Sequence, residues 1–188
     1  GYRVGLKGNS KFPKKDPSLY VVEIGSGGGE NLGAIRSKYP DFFLEGVDLK
    51  RDCTDYARSH NPSVRFQTAD YQKAIFHKTP NLLFNSLFCH HFTDEQLVDM
   101  LQWMHKNSTQ GLFIADLHRH PLAYYSIKVL TQLFSRSYLV KNDAPLSVRR
   151  GFTRSEWETL LAKAGITHYT IRWQWAFRFL IVVQHAQK

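Results

Sequence analysis

The stretch VVEIGSGGGENLGAI, residues 21–35, places a short apolar run before a glycine cluster and a helix-like pattern after it. A buried strand, a tight glycine turn and a helix, in that order, are typical of the first unit of an open parallel sheet. Ligands of such sheets bind beyond the carboxyl ends of the strands, so the turn Gly25 to Gly29 is the expected contact. Glu23 lies inside the apolar run, where a carboxyl group is rarely buried without a partner.

The alternation of strand and helix continues along the chain. Strands are predicted at 19–25, 42–49, 64–70, 81–89 and 111–117, and helices at 30–39, 51–60 and 94–106. This rhythm predicts the α/β class, with a Rossmann-like, doubly wound and mostly parallel sheet. Two β-rich stretches within 168–184 would complete seven strands, with an antiparallel strand at the C-terminus. A period-two aromatic row there predicts one strand face, in the core or at a dimer surface: Trp173, Trp175, Phe177 and Phe179.

The segment after the fifth strand departs from this alternation of strand and helix. Residues 118–152 are predicted as a helical insertion on the substrate side, with one long helix or two short ones within 120–140. A loop over 142–152 would follow and could close over the site. The next helix has Thr153 as its predicted N-cap and Gly165 as its C-terminal stop.

The bulk composition fits one domain. The 188 residues, 43 % of them hydrophobic, suffice for one well-filled core and are few for two. We expect a single domain over 20–188 and an N-terminal arm over 1–19. The arm begins with Gly1 rather than Met, which is typical of a truncated N-terminus. The sequence has no run of about 18 uncharged apolar residues and no signal-like N-terminus, and its two cysteines fit a reducing compartment. The expected location is the cytoplasm, without a membrane span.

The net charge of +9 fits contact with nucleic acid or with an acidic lipid surface. The densest clusters are small, namely 11–15 and the pair Arg149 and Arg150. A solvated basic surface is therefore the favoured interpretation, and nucleic acid is the less favoured partner.

The glycine turn also limits the ligand. A dinucleotide fingerprint, G-x-G-x-x-G, would need a third glycine where this chain has Glu30, and Glu23 and Glu30 together would repel a pyrophosphate. A ligand with adenosine at one end and positive charge at the other fits better, and S-adenosylmethionine has that chemistry. Asp48 ends the second predicted strand, about 20 residues downstream, where an acidic side chain accepts hydrogen bonds from ribose hydroxyls.

Together, EIGSGGG (23–29), GVDL (46–49), TAD (68–70), NSLFCHHF (85–92) and the β-rich C-terminus resemble the class I S-adenosylmethionine-dependent methyltransferases. The resemblance is to the small-molecule branch that includes quinone-biosynthesis enzymes, and it runs from about residue 20 to the C-terminus. It implies S-adenosylmethionine as cofactor and S-adenosylhomocysteine as product. Members commonly begin with helices that cap the substrate, and this N-terminus has no such pattern.

The resemblance also implies a cofactor role for eleven residues. Glu23 would anchor the loop or the methionine ammonium, and Asp48 would accept from the ribose. Gly25, Ser26 and Gly27 would line the methionine portion, and Gly29 would permit close approach of the helix. Leu49, Asp70 and Tyr71 would contact the adenine, and Ser86 and Leu87 would border the methyl-donor pocket.

Acceptor chemistry is predicted at the ends of the fourth and fifth strands. A phenol or alcohol acceptor benefits from a base, and histidine suits that work near neutrality. The candidate catalytic residues are His118, His91 and His90, and the candidate substrate contacts are His120, Tyr124 and Arg149. Structural alternatives remain open: a loop hydrogen bond for His90 or His91, packing for Tyr124, and a solvent-facing loop for Arg149. The H-x-H pattern lacks zinc spacing, so no metal is predicted.

These observations favour an enzyme that transfers a methyl group to a small acceptor, aromatic, phenolic or lipid-like, most readily at oxygen. The alternatives are an RNA methyltransferase, a non-catalytic cofactor-binding subunit and, on fold alone, a dinucleotide oxidoreductase. The RNA alternative lacks the NPPY or DPPY segment of base-amino methyltransferases after strand four. A monomer or a homodimer is expected.

Overall fold

A computed structural model describes residues 18–134 and 138–185. The predicted arm over 1–19 lies outside these residues except for its last two positions. The chain divides into two compact units. The first comprises the described residues up to Asn85 together with Asn107–Gly111, and the second comprises Ser86–Lys106 and the described residues from Leu112 onward.

The described residues form one seven-stranded sheet in the order β3-β2-β1-β4-β5-β7-β6. Strands β1 to β4 pair in parallel, whereas β6 and β7 are antiparallel. This confirms the predicted α/β class, the Rossmann-like order and the antiparallel C-terminus. The strands are β1 Tyr20–Ile24, β2 Phe43–Asp48, β3 Arg65–Thr68, β4 Leu82–Ser86, β5 Gly111–Leu117, β6 Tyr169–Gln174 and β7 Arg178–Gln184.

Helices follow the strands nearly as the sequence predicts. They are α1 Glu30–Lys38, α2 Arg51–His60, α3 Asp94–Lys106, α4 Pro121–Phe134, α5 Tyr138–Arg149 and α6 Arg154–Lys163. Short 3₁₀ turns occupy Tyr71–Lys73 and Cys89–His91. Helix α6 has the predicted ends: the Thr153 side chain and Glu156 form a reciprocal capping box, and Gly165 takes a left-handed φ of +74°.

In the first unit, β1 is central and all five of its residues are buried. Its apolar run is continuous because both faces of a parallel strand are covered, so the alternation of a half-exposed strand is absent. Packing is close enough that a Cβ on Gly46 of β2 would lie 2.6 Å from the Phe66 ring and 2.7 Å from Ser26 Oγ. The glycine turn is therefore held against β2 and β3.

The loop predicted over 142–152 is wrong, because α5 continues to Arg149. The prediction gave most weight to Asn142, Asp143 and Pro145, which favour turns. Pro145 and Val148 are both buried, and their spacing of three places them on one helical face. Burial of that face outweighs the local turn signals.

The prediction that the aromatic row lies on one face of a single strand is also wrong. A hairpin turn interrupts the row: Ala176 and Phe177 have φ of +64° and +53°, and β7 begins at Arg178. Trp173 and Phe179 are cross-strand partners, with Phe179 buried and Trp175 exposed at the turn. A period of two describes a strand only where no turn intervenes.

The helices of the described chain include none that is both long enough and apolar enough to cross a bilayer.

Candidate functional site

The glycine turn depends on three left-handed glycines. Gly25, Gly27 and Gly29 have φ of +69°, +51° and +79°, a region that costs other residues about 1–2 kcal/mol each. The backbone N–H groups of Gly25 and Ser26 both donate to the carbonyl of Val47, at 2.8 and 3.1 Å. The turn is thus bonded to the end of β2.

Asp48 fixes the tip of the turn. Its Oδ2 accepts from the Gly27 N–H at 2.8 Å, and its Oδ1 accepts from the Lys50 N–H at 2.9 Å. Each carboxylate oxygen has more than one acceptor site, so both retain capacity for further donors. The side chain is half-buried. Asp48 can therefore hold the loop and still accept hydrogen bonds from a ligand's hydroxyl groups.

The surroundings of the loop glycines differ. A Cβ on Gly27 would meet no atom within 4 Å, whereas one on Gly29 would lie 2.7 Å from Phe66 and 3.2 Å from Ala57. Gly29 is needed for close packing of α1, as expected from the sequence. The space beside Gly27 is instead open among the described residues.

Glu23 is a buried carboxyl group with one unsatisfied oxygen. Its Oε1 accepts from Asn31 Nδ2 at 2.7 Å, but its Oε2 is buried and has no hydrogen-bond partner among the described residues. The pKa of Glu23 is raised to about 8, chiefly by burial and also by the charges of Glu30 and Asp48, against the lowering effect of the Asn31 hydrogen bond. The Ser26 hydroxyl is likewise buried without a partner in that part of the chain.

These orphaned atoms fit a cationic ligand. A buried carboxyl oxygen without a partner costs free energy that a donor would recover, and a cationic donor would also stabilise its ionised form. Glu23, Glu30 and Asp48 all lie at this end of the first unit. The residues present therefore suit an ammonium-bearing ligand with hydroxyl groups, and they disfavour a pyrophosphate.

The predicted adenine contacts lie at the ends of β2 and β3. Leu49 is largely exposed, so it has apolar surface available for a flat ring. Asp70 precedes the 3₁₀ turn, and its Oδ1 accepts from the Gln72 N–H at 3.0 Å. Tyr71 is half-buried in that turn. These positions remain predictions for adenine.

The segment after β4 adopts a strained conformation. Ser86 and Leu87 are half-buried, and Leu87 has a φ of +54°, which is uncommon for a residue with a side chain. The Leu87 N–H donates to the carbonyl of Ala115 at 2.8 Å. Strain of this kind often accompanies function.

Asp116 organises this segment within the second unit. It is fully buried, its Oδ2 accepts from the Phe88 and Cys89 N–H groups at 3.0 and 2.7 Å, and its Oδ1 accepts from the Leu117 N–H at 2.7 Å. Oδ1 also lies 2.8 Å from Nδ1 of the buried His90. His90 is therefore fixed by a carboxyl group, whereas the structural alternative from the sequence was a hydrogen bond to a loop carbonyl.

His91 differs from its neighbour. Its side chain is exposed, and its ring centroid lies 4.2 Å from that of His90. Exposure leaves His91 accessible to an acceptor, so it stays a candidate base.

His118 and His120 form an aromatic cluster at the end of β5. The His118 ring lies 4.5 Å from Phe179 and 5.3 Å from His120. His118 Nδ1 is buried and has no hydrogen-bond partner among the described residues. Burial lowers the pKa of His118, and the neighbouring His120 lowers it further, so its imidazole is neutral near pH 7 and can accept a proton.

The remaining predicted substrate contacts lie on or beside the inserted helices. His120 Nδ1 accepts from the Leu122 N–H at 3.2 Å, at the start of α4. Tyr124 is half-buried in the first turn of α4, and its ring lies 5.3 Å from that of Tyr125. Arg149 is exposed at the last residue of α5.

Two functional contacts were missed at the level of sequence. Asn31 satisfies one oxygen of Glu23, and Asp116 is the group that holds His90. A polar residue in the first turn of a helix beside a buried acid is the one signal that could have indicated Asn31. The described residues contain no group of three or more metal-binding side chains.

Comparison with known proteins gives one family match. Residues 21–111, just under half of the chain, match the model of a methyltransferase domain. The match covers the glycine turn, Asp48, Asp70 and the segment after β4. No curated protein sequence matches the chain.

Solved structures of several methyltransferases share the fold. The plantazolicin methyltransferase BpumL, solved with a substrate analogue and SAH, is 17 % identical, with a TM-score of 0.73 over 89 % of this chain and 77 % of its own. Magnesium protoporphyrin IX methyltransferase from Synechocystis PCC 6803 is 14 % identical, with a TM-score of 0.63 over 90 % of this chain and 75 % of its own. At these identities the likeness establishes the fold.

The chain spans about half the length of other similar structures. Human N-acetylserotonin methyltransferase is 20 % identical, with a TM-score of 0.65 over 91 % of this chain and 48 % of its own. A Nostoc punctiforme protein proposed to be an O-methyltransferase is 14 % identical, with a TM-score of 0.67 over 89 % of this chain and 51 % of its own.

Proposed function

We propose that the protein is an S-adenosylmethionine-dependent methyltransferase that acts on a small acceptor, since residues 21–111 match the model of a methyltransferase domain. Known methyltransferases of the same fold have been solved with SAM or SAH, which supports the choice of cofactor. Their names indicate plantazolicin, N-acetylserotonin and magnesium protoporphyrin IX as the molecules on which they act. The acceptor and the reacting atom of this chain are part of the proposal.

The observation that carries the cofactor assignment is the unsatisfied Oε2 of Glu23. In the proposal this oxygen accepts from the methionine ammonium of the cofactor, while Ser26 and the loop backbone contact the methionine portion. Asp48 accepts from the ribose hydroxyls with the capacity left beside its bond to Gly27. Leu49, Asp70 and Tyr71 receive the adenine.

When bound, S-adenosylmethionine supplies an activated methyl carbon that an acceptor atom can displace in line. The chain then has three tasks: to align the acceptor, to exclude water and to remove the acceptor proton. For a phenol or alcohol, the new carbon–oxygen bond forms as the carbon–sulfur bond breaks, and the hydroxyl proton passes to a base. Charge neutralisation at sulfur accompanies the transfer.

His118 is the base that the side-chain environment favours. Its lowered pKa keeps the imidazole neutral at pH 7, and its Nδ1 has no partner among the described residues. His91 is the second candidate because it is exposed, whereas His90 is held by Asp116 and is better suited to positioning. His120, Tyr124 and Arg149 remain proposed contacts of the acceptor.

Transfer of a radioactive methyl group tests the proposal. The protein would be incubated with methyl-labelled S-adenosylmethionine and panels of phenols, quinols, lipids and RNA. Label should appear in a small aromatic or lipid-like acceptor, and at subsaturating S-adenosylmethionine Asp48→Ala should reduce the rate of labelling by about 30- to 100-fold. Label in RNA alone would overturn the substrate class, and retention of full activity in Asp48→Ala would overturn the cofactor site.

A further inference from the structure

Helix α4 carries an exposed apolar face. The chain buries Ala123 and Thr131 of this helix. Five large side chains elsewhere on it are exposed, from 50 % for Leu130 to 71 % for Leu133. We call them the α4 outer face: Leu122, Tyr125, Val129, Leu130 and Leu133.

The five side chains form one continuous surface. An α-helix advances by about 100° per residue, so these positions fall within an arc of roughly 140°. Ala123 and Thr131 lie outside that arc, on the buried side. Scattered exposed apolar residues need no explanation, but a contiguous apolar stripe marks an interaction surface.

The segment of sequence that contains the α4 outer face is basic. Between Asp116 and Asp143 the sequence contains no acidic residue. From 118 to 150 it contains six Lys or Arg residues and one Asp. Lys128 on α4 and Arg149 and Arg150 at the end of α5 are exposed. A partner for this surface should therefore be both apolar and negatively charged.

We propose that the α4 outer face docks onto the surface of an anionic lipid bilayer. Apolar side chains of an interfacial helix enter the boundary between headgroups and acyl chains, while neighbouring cations attract anionic headgroups. Both components of that binding are present here. The proposal concerns binding alone and does not depend on the proposed methyl transfer.

A second copy of the chain fits this face less well. A helix of 14 residues is about 21 Å long, so a stripe about 10 Å wide offers on the order of 200 Å². A stable interface buries about 800 Å² on each partner. Two copies would also bring the same basic segments together.

The chain's own N-terminus is disfavoured as an occupant by charge. Residues 1–17 contain five Lys or Arg residues and one Asp, the same sign as the segment around α4. Like charges oppose such a contact. An anionic bilayer complements both segments.

Sedimentation with lipid vesicles tests the proposal. The 188-residue chain would be mixed with vesicles of phosphatidylcholine alone, or of phosphatidylcholine and phosphatidylglycerol in equal parts. We expect binding to the anionic vesicles at least about tenfold tighter than to the neutral ones, and weaker binding as salt rises. Failure to bind anionic vesicles would overturn the proposal.

Matched variants distinguish binding through the α4 outer face from non-specific hydrophobic adsorption and from the effect of overall charge. Val129→Gln with Leu133→Gln should weaken binding at least about tenfold, whereas Ile75→Gln with Trp175→Gln, which are more exposed and lie elsewhere, should leave it unchanged. Lys128→Glu should weaken binding more than Lys106→Glu on α3.

Equal effects of face and control variants would contradict the proposal. So would a dimer in light scattering that only the face variant dissociates, because a second copy would then occupy the face.

Discussion

Asp48 Oδ2 accepts a hydrogen bond from the backbone N–H of Gly27 at 2.8 Å, joining the end of β2 to the tip of the glycine turn. One carboxylate thus shapes the loop and borders the space beside it. Loop conformation and ligand binding should respond together when this group is removed.

Asp48→Ala should weaken binding of S-adenosylhomocysteine by about 30- to 100-fold. A hydrogen bond to a charged group is worth about 1.5–3 kcal/mol, and the variant loses the one to the proposed ribose from the binding free energy. The bonds to Gly27 and Lys50 lie within the chain and shape the loop before the ligand binds. Isothermal titration calorimetry measures the change. Asp55→Ala on the exposed face of α2 is the matched control and should bind as the parent chain does.

Gly27→Ala should abolish cofactor binding while the chain still folds. Gly27 and Gly165 both have left-handed φ, and a Cβ on either would meet no atom within 4 Å. Each Ala variant should therefore lose about 1–2 kcal/mol of unfolding free energy. Only Gly27 borders the proposed ligand space, so Gly165→Ala should retain binding. Loss of binding in both variants, or in neither, would contradict the assignment of that space.

Cofactor binding should release a proton from Glu23. The pKa of Glu23 is about 8 without ligand, so at pH 7 the carboxyl group is mostly protonated. A bound ammonium favours the carboxylate, and affinity for S-adenosylhomocysteine should then rise from pH 6 to pH 8. Calorimetry in buffers of different ionisation enthalpy measures the proton count. Glu23→Gln should bind more weakly and show no such proton release.

The same carboxyl group should make stability depend on pH. Its folded-state pKa of about 8 lies above the ordinary value of 4.5, so the folded chain holds the proton more tightly than the unfolded chain. The contribution of the protonated Glu23 to the free energy of unfolding is complete below pH 4.5. It is lost as the pH rises toward 8, by at most about 1.4 kcal/mol per pH unit. Urea unfolding at several pH values should show this slope, and Glu23→Gln should flatten it. An unchanged slope in the variant would assign the effect to other groups.

His118→Gln should lower kcat for a hydroxyl acceptor by about 10²- to 10⁴-fold, the usual contribution of a general base. Since the pKa of His118 is lowered, the rate should reach its plateau below the pH expected of an ordinary histidine. His168→Gln is the control, because His168 is exposed just before β6. If the pH–rate profile of His118→Gln keeps the parent's acid limb, another group is the base.

Much of the fold was predictable because its signals are local. The apolar run before GSGGG, the capping pair Thr153 and Glu156, and the stop at Gly165 each act within a few residues. Where distant packing competes with local preference, prediction failed. Pro145 lies inside α5 because its face is buried with Val148, and the row of aromatic residues is divided by the turn at Ala176.

The candidate site was predictable to a similar extent. The positions of Glu23 and Asp48 follow from the order of strand, turn and strand, so their placement at the loop could be expected. The hydrogen bonds that hold the side chains of the site could not be predicted. Asn31 reaches Glu23 across eight residues, and Asp116 reaches His90 across 26, through geometry that spacing alone does not reveal.

The most direct test of the central claim is a calorimetric titration of the chain with S-adenosylhomocysteine, alongside a titration with NADH. The account predicts micromolar binding of S-adenosylhomocysteine and no binding of NADH, because the unpartnered oxygen of Glu23 suits an ammonium group while Glu30 and Asp48 oppose a pyrophosphate. Binding of NADH alone, or of neither ligand, would contradict it.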